Sequence, residues 1–366
     1  MEVGLQMVFC SYGWDNVSDE QVWDEELRLA RLAADLGFDV LWSVEHHFFD
    51  YSFCPDNTQL LSYLAPLCTH ADLGTAAIIL PWNDPLRVAE KVSMLDLLSG
   101  GRVRLGIGRG LARREFAAFR GTMDDSRERF DEAAAMILEA LRTGFIEGHG
   151  KFYPQPRIEI RPRPERSFAD RTYAVASSED SIEAAARLKA RMLMFADRPW
   201  PLRLPGIERY RALYRRLNGV AAAPVVTADQ CICAATSTEA NALAERHMAC
   251  FVDSNLEHYE LMSTHFATAK GYDAYAKKSE IARTTGRDGL VKTLLEVAVR
   301  GTPDEVLRAY EARRELLGDF ELNSSFRFGG IPLAKAEASM RLFAREVLPV
   351  LKTWQPAIAE GVGVHA

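Results

Sequence analysis

Residues 39–110 contain four segments that decide the fold, and these segments are Trp42-Ser43-Val44-Glu45-His46-His47-Phe48, Gly74-Thr75-Ala76-Ala77-Ile78-Ile79-Leu80-Pro81, Leu95-Asp96-Leu97-Leu98-Ser99-Gly100-Gly101-Arg102 and Gly106-Ile107-Gly108-Arg109-Gly110. In each segment a short apolar run leads into polar or glycine residues. Helical patterns lie between the segments, so the stretch predicts successive βα units. Catalytic chemistry is then expected where the strands end.

The same alternation continues over the rest of the chain. Eight strands are predicted, at residues 3–9, 40–44, 73–80, 102–107, 172–176, 191–196, 225–234 and 320–328. A helical pattern follows each strand, and eight such units are the count of a (β/α)8 TIM barrel. The predicted fold class is therefore α/β, a TIM barrel with insertions that forms a single domain over residues 1–366.

Several helix boundaries follow from capping residues. Ser18, Thr236 and Thr302 each precede Glu or Gln by three residues, the spacing of a capping box. Pro85 and Pro303 stand where the first helical residue is expected.

Three segments depart from the regular pattern of strands and helices. Residues 151–171 are polar and rich in proline and arginine, so we interpret them as an excursion between the two halves of the barrel. Residues 197–206 contain three prolines and are predicted to be the loop after the sixth strand. Residues 256–297 show little apolar periodicity, which favours a mobile lid over a second domain, with an ordered excursion as the alternative.

Composition limits the possible functions. The 366 residues are 48% hydrophobic and carry a net charge of −7 with interspersed signs, so nucleic-acid binding is not expected. No apolar stretch of about 18 residues predicts a membrane span. Six cysteines without a Cys-x-x-Cys pair indicate thiols in a reducing compartment, and Cys231 and Cys233 are expected to pack in the core. We predict a cytoplasmic enzyme.

Glu45-His46-His47 is a candidate for acid–base chemistry or for metal binding. Neighbouring side chains on a strand point to opposite faces, so the two histidines are not expected to share one metal ion, and no metal site is predicted. One histidine should face the cavity, and its neighbour should lie in a packed environment beside a carboxylate. Two purely structural histidines are the alternative.

A phosphate site is predicted at the carboxyl face of the barrel. Residues 177–181 follow the fifth strand at a helix start, where hydroxyls and free N–H groups meet an anion. The spacing alone is equally compatible with an ordinary serine N-cap. Arg109 and Arg127 would supply positive charge, whereas residues 106–110 lack the spacing of a dinucleotide fingerprint.

The order of these motifs resembles the bacterial luciferase family of flavin-dependent monooxygenases, and in detail its catalytic subunit. The likeness rests on Glu45-His46-His47-Phe48, on residues 74–81, on Ser99-Gly100-Gly101-Arg102 and on residues 106–110. It extends to Ser126-Arg127, Gly271-Tyr272-Asp273 and Gly301-Thr302-Pro303, and so covers nearly the whole chain.

The resemblance implies reduced FMN as cofactor, and, because no nicotinamide domain is present, a separate flavin reductase as its source. Arg109, Arg127, Ser178 and Ser181 match the residues that bind the flavin phosphate. Ala76 and Ala77 match a cis peptide beneath the flavin ring. Residues 256–297 match a disordered loop that closes over the flavin.

The resemblance also assigns the histidines. His46 matches the catalytic histidine, and His47 matches one that pairs with a buried glutamate, here Glu90, near a dimer interface. A homodimer is therefore expected. Gly108 stands where the luciferase catalytic subunit has a reactive cysteine, a departure that counts against bioluminescence.

The implied reaction uses O2 and a flavin C4a-hydroperoxide to oxygenate a small, apolar organic molecule. A non-catalytic flavin-binding or partner subunit and an oxidoreductase that uses the deazaflavin F420 are the alternatives. The expected substrate pocket is aromatic and would be lined by Tyr12, Trp14, Phe49, Phe53 and Trp200.

Overall fold

The computed structural model describes residues 1–14 and 17–354. Its strands are β1 (Val3–Met7), β2 (Val40–Ser43), β3 (Asp72–Thr75), β4 (Ile78–Ile79), β5 (Val103–Gly108), β6 (Phe145–Gly148), β7 (Gln155–Glu159), β8 (Thr172–Val175), β9 (Arg191–Phe195), β10 (Val225–Cys233), β11 (Val299–Gly301) and β12 (Phe320–Ser325). Strands β1, β2, β3, β5, β8, β9, β10 and β12 pair in parallel in this order, and β12 pairs back onto β1. This closed eight-stranded barrel confirms the predicted fold class.

Helices surround the barrel. They are α1 (Asp19–Asp35), α2 (Asn57–Leu64), α3 (Pro85–Leu98), α4 (Arg113–Ala118), α5 (Ser126–Thr143), α6 (Glu179–Arg187), α7 (Leu204–Asn218), α8 (Ser237–His258), α9 (Asp273–Val297), α10 (Pro303–Leu317), α11 (Leu333–Glu346) and α12 (Leu348–Thr353). Within the described ranges, no helix is long and apolar enough to cross a membrane.

The predicted capping residues begin their helices. The side chains of Ser18, Thr236 and Thr302 each accept a hydrogen bond from the backbone N–H three residues later. Thr302 and Glu305 complete a reciprocal capping box, and Pro303 occupies the first turn. These contacts satisfy donors that a helix start would otherwise leave free, which explains why the helix starts could be located from the sequence.

The barrel interior is filled around one large side chain. Trp42 of β2 is buried and meets the Tyr173 ring edge to face, with ring centroids 5.0 Å apart. Gly4 and Gly74, on the strands beside β2, lie against the indole, where a Cβ at either position would overlap the ring. Glycine at both positions is therefore required for the tryptophan to fit inside the barrel.

The predicted third strand is interrupted. Residues 73–80 were expected to be continuous, but β3 ends at Thr75 and β4 begins at Ile78. The peptide bond between Ala76 and Ala77 is cis. β3 pairs with both β2 and β5, whereas β4 pairs with β5, so the ladder resumes on one side only.

The other departures from prediction are local. Residues 151–171 contain β7, which forms an antiparallel hairpin with β6 outside the barrel, and Ile160 and Phe168 of this excursion are buried. The loop predicted at residues 197–206 is shorter, because a 3₁₀ turn occupies Trp200–Leu202 and α7 begins at Leu204. Residues 256–297 are mostly helical, since α8 ends at His258 and α9 runs to Val297.

A close backbone contact beside the interruption can be tested by mutation. Gly106 of β5 exchanges two 2.8 Å hydrogen bonds with the Thr75 hydroxyl, and a Cβ at Gly106 would overlap the Thr75 carbonyl oxygen. Gly106→Ala should therefore lower the free energy of unfolding by about 1–3 kcal/mol, the range for overpacking. Gly121→Ala is the control, because its Cβ would contact Phe116 at an ordinary 3.6 Å. Equal urea unfolding midpoints for the two variants would contradict this assignment.

Candidate active site

The carboxyl ends of the strands surround a cavity of about 150 Å³. Six predicted residues line it, namely His46, Ala76, Ala77, Arg109, Ser178 and Ser181. The cavity shares Ser177, Ser178 and Asp197 with a larger outer cleft of about 850 Å³. The barrel thus brings together residues that are up to 135 positions apart in sequence, between His46 and Ser181.

Glu45 organises the floor of the cavity. Its buried carboxylate accepts hydrogen bonds from the Trp82 indole (2.6 Å), the Asn83 amide (2.9 Å) and the backbone N–H of Ile79 (3.0 Å). Three donors satisfy a buried charge that would otherwise be costly. Glu45 therefore fixes β4 and the turn that follows it.

His46 lies at the cavity wall against a second buried carboxylate. Its Nδ1 is 3.2 Å from Oε1 of Glu115, a residue of α4 that is 1% exposed. The same oxygen accepts the backbone N–H of His47 at 2.9 Å. Because Glu115 holds Nδ1, the other ring nitrogen of His46 is the one left for a ligand in the cavity.

A third side chain completes this cluster. His258, the last residue of α8, is fully buried, and its Nε2 is 3.7 Å from Oε1 of Glu115. Its ring stacks on Tyr51 at 4.7 Å and meets the His46 ring edge to face at 5.2 Å. Burial lowers the pKa of His258 to about 2, with smaller contributions from His46 and Arg114, so the ring is neutral.

The expected pairing of His47 with Glu90 is wrong. The carboxylate close to His47 is Glu45, whose Oε1 is 3.5 Å from Nε2. Glu90 instead accepts a hydrogen bond from the backbone N–H of Arg161 at 3.3 Å. Glu90 therefore binds the excursion that follows β7. The His47 ring packs on Phe119, with ring centroids 4.7 Å apart. His46 and His47 do point to different environments, as expected.

Of the two arginines predicted for the phosphate site, Arg109 lines the cavity and Arg127 lies near it. Arg109 donates from Nη2 to the Gly271 carbonyl at 2.8 Å, its guanidinium lies 4.0 Å from the centre of the Tyr272 ring, and its buried Nη1 has no hydrogen-bond partner. Arg127 of α5 has three buried guanidinium nitrogens without a hydrogen-bond partner, and its nearest carboxylate, Asp131, is 3.6 Å away. Burial and the charge of Arg109 lower the pKa of Arg127. Arg127 is close to the cavity but does not line it.

Ser178 and Ser181 form an N-cap as well as a cavity wall. The Ser178 hydroxyl accepts from the backbone N–H of Ser181 at 3.4 Å, and the Ser181 hydroxyl accepts from the N–H groups of Ser177 and Ser178, both at 2.9 Å. The sequence could not separate a phosphate site from an N-cap. In the structure Ser178 and Ser181 form the N-cap and also line the cavity, and the phosphate site stays a prediction.

Small residues form another part of the cavity wall. Ala76, Ala77 and Gly108 lie side by side, and a Cβ at Gly108 would be 3.2 Å from that of Ala77. The cis bond expected between Ala76 and Ala77 is present. The chain thus presents a flat surface, free of long side chains, to the cavity.

Residues 256–297 lie over this cavity. Tyr259 and Tyr275 line it, and the Tyr275 hydroxyl is 3.3 Å from that of Ser177. The Tyr272 hydroxyl donates to the Gly110 carbonyl at 3.0 Å, and Lys278 lies 3.4 Å from Asp197. The segment is tied to the barrel by these contacts, and its mobility stays a prediction.

The expected aromatic pocket is wrong in its membership. The Trp14 indole donates to the Gly330 carbonyl at 2.6 Å, and Trp200 packs beneath the guanidinium of Arg313. Phe49 lies against His258 and Arg114. None of the five expected residues lines the cavity, whose apolar lining instead includes Leu111, Met194, Phe195, Tyr259 and Tyr275.

Sequence reasoning missed Glu115 and His258. Glu115 follows the Gly-Arg-Gly motif by five residues, but nothing in a short helix of mixed composition marks one glutamate as buried. His258 lies in residues 256–297, whose pattern predicts a lid and does not mark a functional histidine. Their contact joins positions 143 residues apart, which no local pattern reveals.

Comparison with known proteins places this geometry in a family. The family model described as "Luciferase-like monooxygenase" matches residues 1–319. The alkanal monooxygenase alpha chain of Photorhabdus luminescens is 25% identical over 348 residues, covering 93% of this chain and 95% of that protein. The monooxygenase RslO1 from Streptomyces bottropensis is 26% identical, with a TM-score of 0.79, over 96% of this chain and 100% of that chain.

A second solved structure shares the fold. The oxygenating constituent of 3,6-diketocamphane monooxygenase from Pseudomonas putida, in complex with FMN, has a TM-score of 0.71 and is 20% identical. The alignment covers 95% of this chain and 98% of that chain.

The barrel fold, the match to the family model and the similarity to a solved monooxygenase define an oxidoreductase of the flavin-dependent monooxygenase class. The chain belongs to the luciferase-like monooxygenase family, whose model matches well over half of it.

Proposed function

We propose that this chain uses reduced FMN and O2 to oxygenate a small, largely apolar organic molecule. The single observation that carries the proposal is Arg127, whose three guanidinium nitrogens are buried beside the cavity without a hydrogen-bond partner. Buried polar groups in folded proteins are rarely left in this state. A doubly charged phosphate would satisfy them, because planar guanidinium donors suit phosphate oxygens.

The surroundings of Arg127 fit the phosphate end of FMN. Arg109 has one more unpartnered nitrogen, and Ser178 and Ser181 lie at the start of α6, where the helix dipole favours an anion. Burial is the largest cause of the lowered pKa of Arg127, followed by repulsion from Arg109, which Asp131 and Asp180 offset in part. A bound phosphate would remove that repulsion.

The wall of small residues fits the flavin ring. Ala76, Ala77 and Gly108 leave no long side chain over this surface, so a flat ring can approach the backbone closely. Reduced flavin, when bound, supplies the electrons that activate O2.

His46 is the residue proposed to hold and move the proton at the reacting oxygen. Glu115 orients its ring through Nδ1, and the ring lies in the cavity wall. The ring nitrogen that Glu115 leaves free is placed to accept a proton from a bound molecule and to return it. Tyr259 and Tyr275 would keep bulk water away from this nitrogen.

The source of reduced flavin is proposed to be a separate flavin reductase. Residues 106–110 do not have the spacing of a nicotinamide-binding fingerprint. The diketocamphane enzyme that shares this fold is described as an oxygenating constituent, which supports flavin reduction and oxygenation by two separate proteins.

The six cysteines are free thiols, which supports a cytoplasmic location.

We also propose a homodimer that forms through α2 and α3. Tyr63, Met94, Leu97 and Leu98 of these two helices are exposed large apolar side chains. Such a patch on adjacent helices is typical of a self-association surface.

The phosphate assignment predicts a selective loss of affinity. Arg127→Ala should weaken FMN binding by about 1.5–3 kcal/mol, because a hydrogen bond to a charged group is lost. The dissociation constant would rise between about tenfold and about 150-fold. Riboflavin, which lacks the phosphate, should bind both proteins equally, and F420 titrated in parallel tests the deazaflavin alternative. Arg142→Ala on the exposed face of α5 is the control, and an unchanged FMN affinity in Arg127→Ala would refute the assignment.

The proposed role of His46 separates an enzyme from a flavin-binding subunit. His46→Ala should lower product formation by about a hundredfold or more, the scale of general acid–base catalysis, and should leave FMN affinity unchanged. A long-chain aldehyde and a bicyclic ketone serve as probe substrates in stopped-flow and product assays with reduced FMN. His70→Ala, at an exposed histidine, is the control. Wild-type rates in His46→Ala would favour the non-catalytic alternative.

The dimer proposal predicts that one charge suffices to weaken association. Leu98→Glu should shift sedimentation at micromolar concentration from dimer towards monomer, because it buries a charge in an apolar interface. Leu217→Glu changes an exposed leucine of α7 and should have no such effect. A wild-type protein that sediments as a monomer would disprove the dimer.

A further inference from the structure

We propose that His46, Glu115 and His258 form a binding site for a divalent transition-metal ion such as Zn²⁺, with open coordination positions. The three side chains come from the end of β2, from α4 and from the end of α8. They meet beside the cavity, because His46 lines it and the other two are buried behind His46.

The spacing of the ligand atoms fits one ion. The distances to Oε1 of Glu115 are 3.2 Å from Nδ1 of His46 and 3.7 Å from Nε2 of His258. One ligand atom from each residue can be chosen so that all three lie within 4.8 Å of one another. Ligands bound tetrahedrally at about 2.0–2.1 Å are roughly 3.4 Å apart, so small side-chain rotations bring these three together.

His258 is an independent indication of a bound ion, because its ring nitrogens lack hydrogen-bond partners. The residue is 0% exposed, and neither ring nitrogen has a hydrogen-bond partner. A buried imidazole normally donates one N–H and accepts at the other nitrogen.

The neighbouring histidine is not a ligand. The His47 ring turns towards Trp82 and Phe119, with centroids 6.1 and 4.7 Å away, and only its backbone N–H reaches Glu115. That N–H donates to the Glu115 carboxylate and orients it, as donors next to metal ligands commonly do.

The donor set selects the kind of ion. Two imidazoles and one carboxylate suit Zn²⁺, Co²⁺ or Fe²⁺, whereas Mg²⁺ and Ca²⁺ prefer oxygen ligands alone. Three protein ligands leave at least one position for water or another small molecule. The positive charge of Arg114, which is close enough to affect the pKa of His258, makes the site weaker than a closed four-ligand site.

Metal binding would compete with the proton chemistry proposed for His46. The ion would take Nδ1 of His46 and the Glu115 oxygen that now holds it. The metal-bound chain would therefore be the inactive one, and transition-metal ions would act as inhibitors. The site itself rests on three side chains and not on the flavin proposal.

Cobalt is the probe for the first experiment. The purified, chelator-treated chain is titrated with Co²⁺ while visible d–d absorption is recorded, and X-ray absorption of the zinc form counts imidazole ligands. We expect one ion per chain and two imidazoles. The absence of a d–d band, or a zinc spectrum without two imidazoles, would overturn the proposal.

Variants then locate the ion. His258→Phe keeps a ring against Tyr51 and should weaken Co²⁺ binding by more than the ~10–100-fold that loss of an outer-shell partner costs. Glu115→Gln should do the same, and it serves if His258→Phe does not fold by circular dichroism. His149→Ala removes an exposed histidine that lies 3.1 Å from Glu147 and should change nothing. Unchanged binding in His258→Phe or Glu115→Gln would overturn the site.

The two proposals fail separately. Arg127→Ala should lose FMN affinity and keep Co²⁺ affinity, because it lies outside the metal cluster. His258→Phe should show the reverse. Loss of both ligands in both variants would indicate general damage to the fold and would refute the separate metal site.

Discussion

The arrangement of this cavity depends on the burial of two carboxylates at the ends of the barrel strands. Glu45 is 5% and Glu115 is 1% exposed. An ionised carboxylate taken out of water costs several kcal/mol unless donors surround it. Three donors converge on Glu45, and the His47 N–H and the His46 ring converge on Glu115. The need to satisfy these charges therefore sets the course of the chain through residues 44–47.

Arg104 and Arg127, near opposite ends of the barrel, are buried in different surroundings. At the amino end, Arg104 donates to both oxygens of Glu2 at 2.6 and 2.8 Å and to Asp72 at 2.8 Å, so its charge is fully used within the protein. At the carboxyl end, Arg127 and His258 are buried with unused nitrogens. A TIM barrel typically keeps stability at one face and function at the other. A ligand that binds beside Arg127 or His258 would provide the hydrogen-bond partners that these buried nitrogens lack.

The sequence was sufficient for the fold because its signals are local. Capping residues, prolines at helix starts and alternation of apolar runs each act over a few positions, and a closed barrel follows from their number. His46 and Arg109 could be placed at the cavity for the same reason, since Arg109 directly follows β5 and His46 stands three residues after the end of β2. The cis bond at Ala76 could be expected only through the family resemblance.

The parts that failed are those that depend on long-range contacts. Glu90 was predicted to pair with His47 because it matches a family position, yet in this chain it accepts a hydrogen bond from the backbone N–H of Arg161. The sequence pattern did not predict the helix α9. Few of its residues are buried, so its apolar residues show little helical periodicity. Glu115 and His258 became visible only when α4 and α8 met. Local patterns do not reveal which polar residues a barrel will bury together.

The shape of the cavity bears on the kind of substrate. The inner cavity of about 150 Å³ is smaller than the 300–1,000 Å³ typical of small-molecule sites, whereas the outer cleft of about 850 Å³ lies within that range. Leu202 and Ile281 of the cleft are 68% and 56% exposed, and they lie among charged residues such as Asp180 and Lys277. The contact between Lys278 and Asp197 joins α9 to the end of β9. Asp197 lines both spaces and Lys278 lines the outer cleft, so this ion pair stands where the two spaces meet.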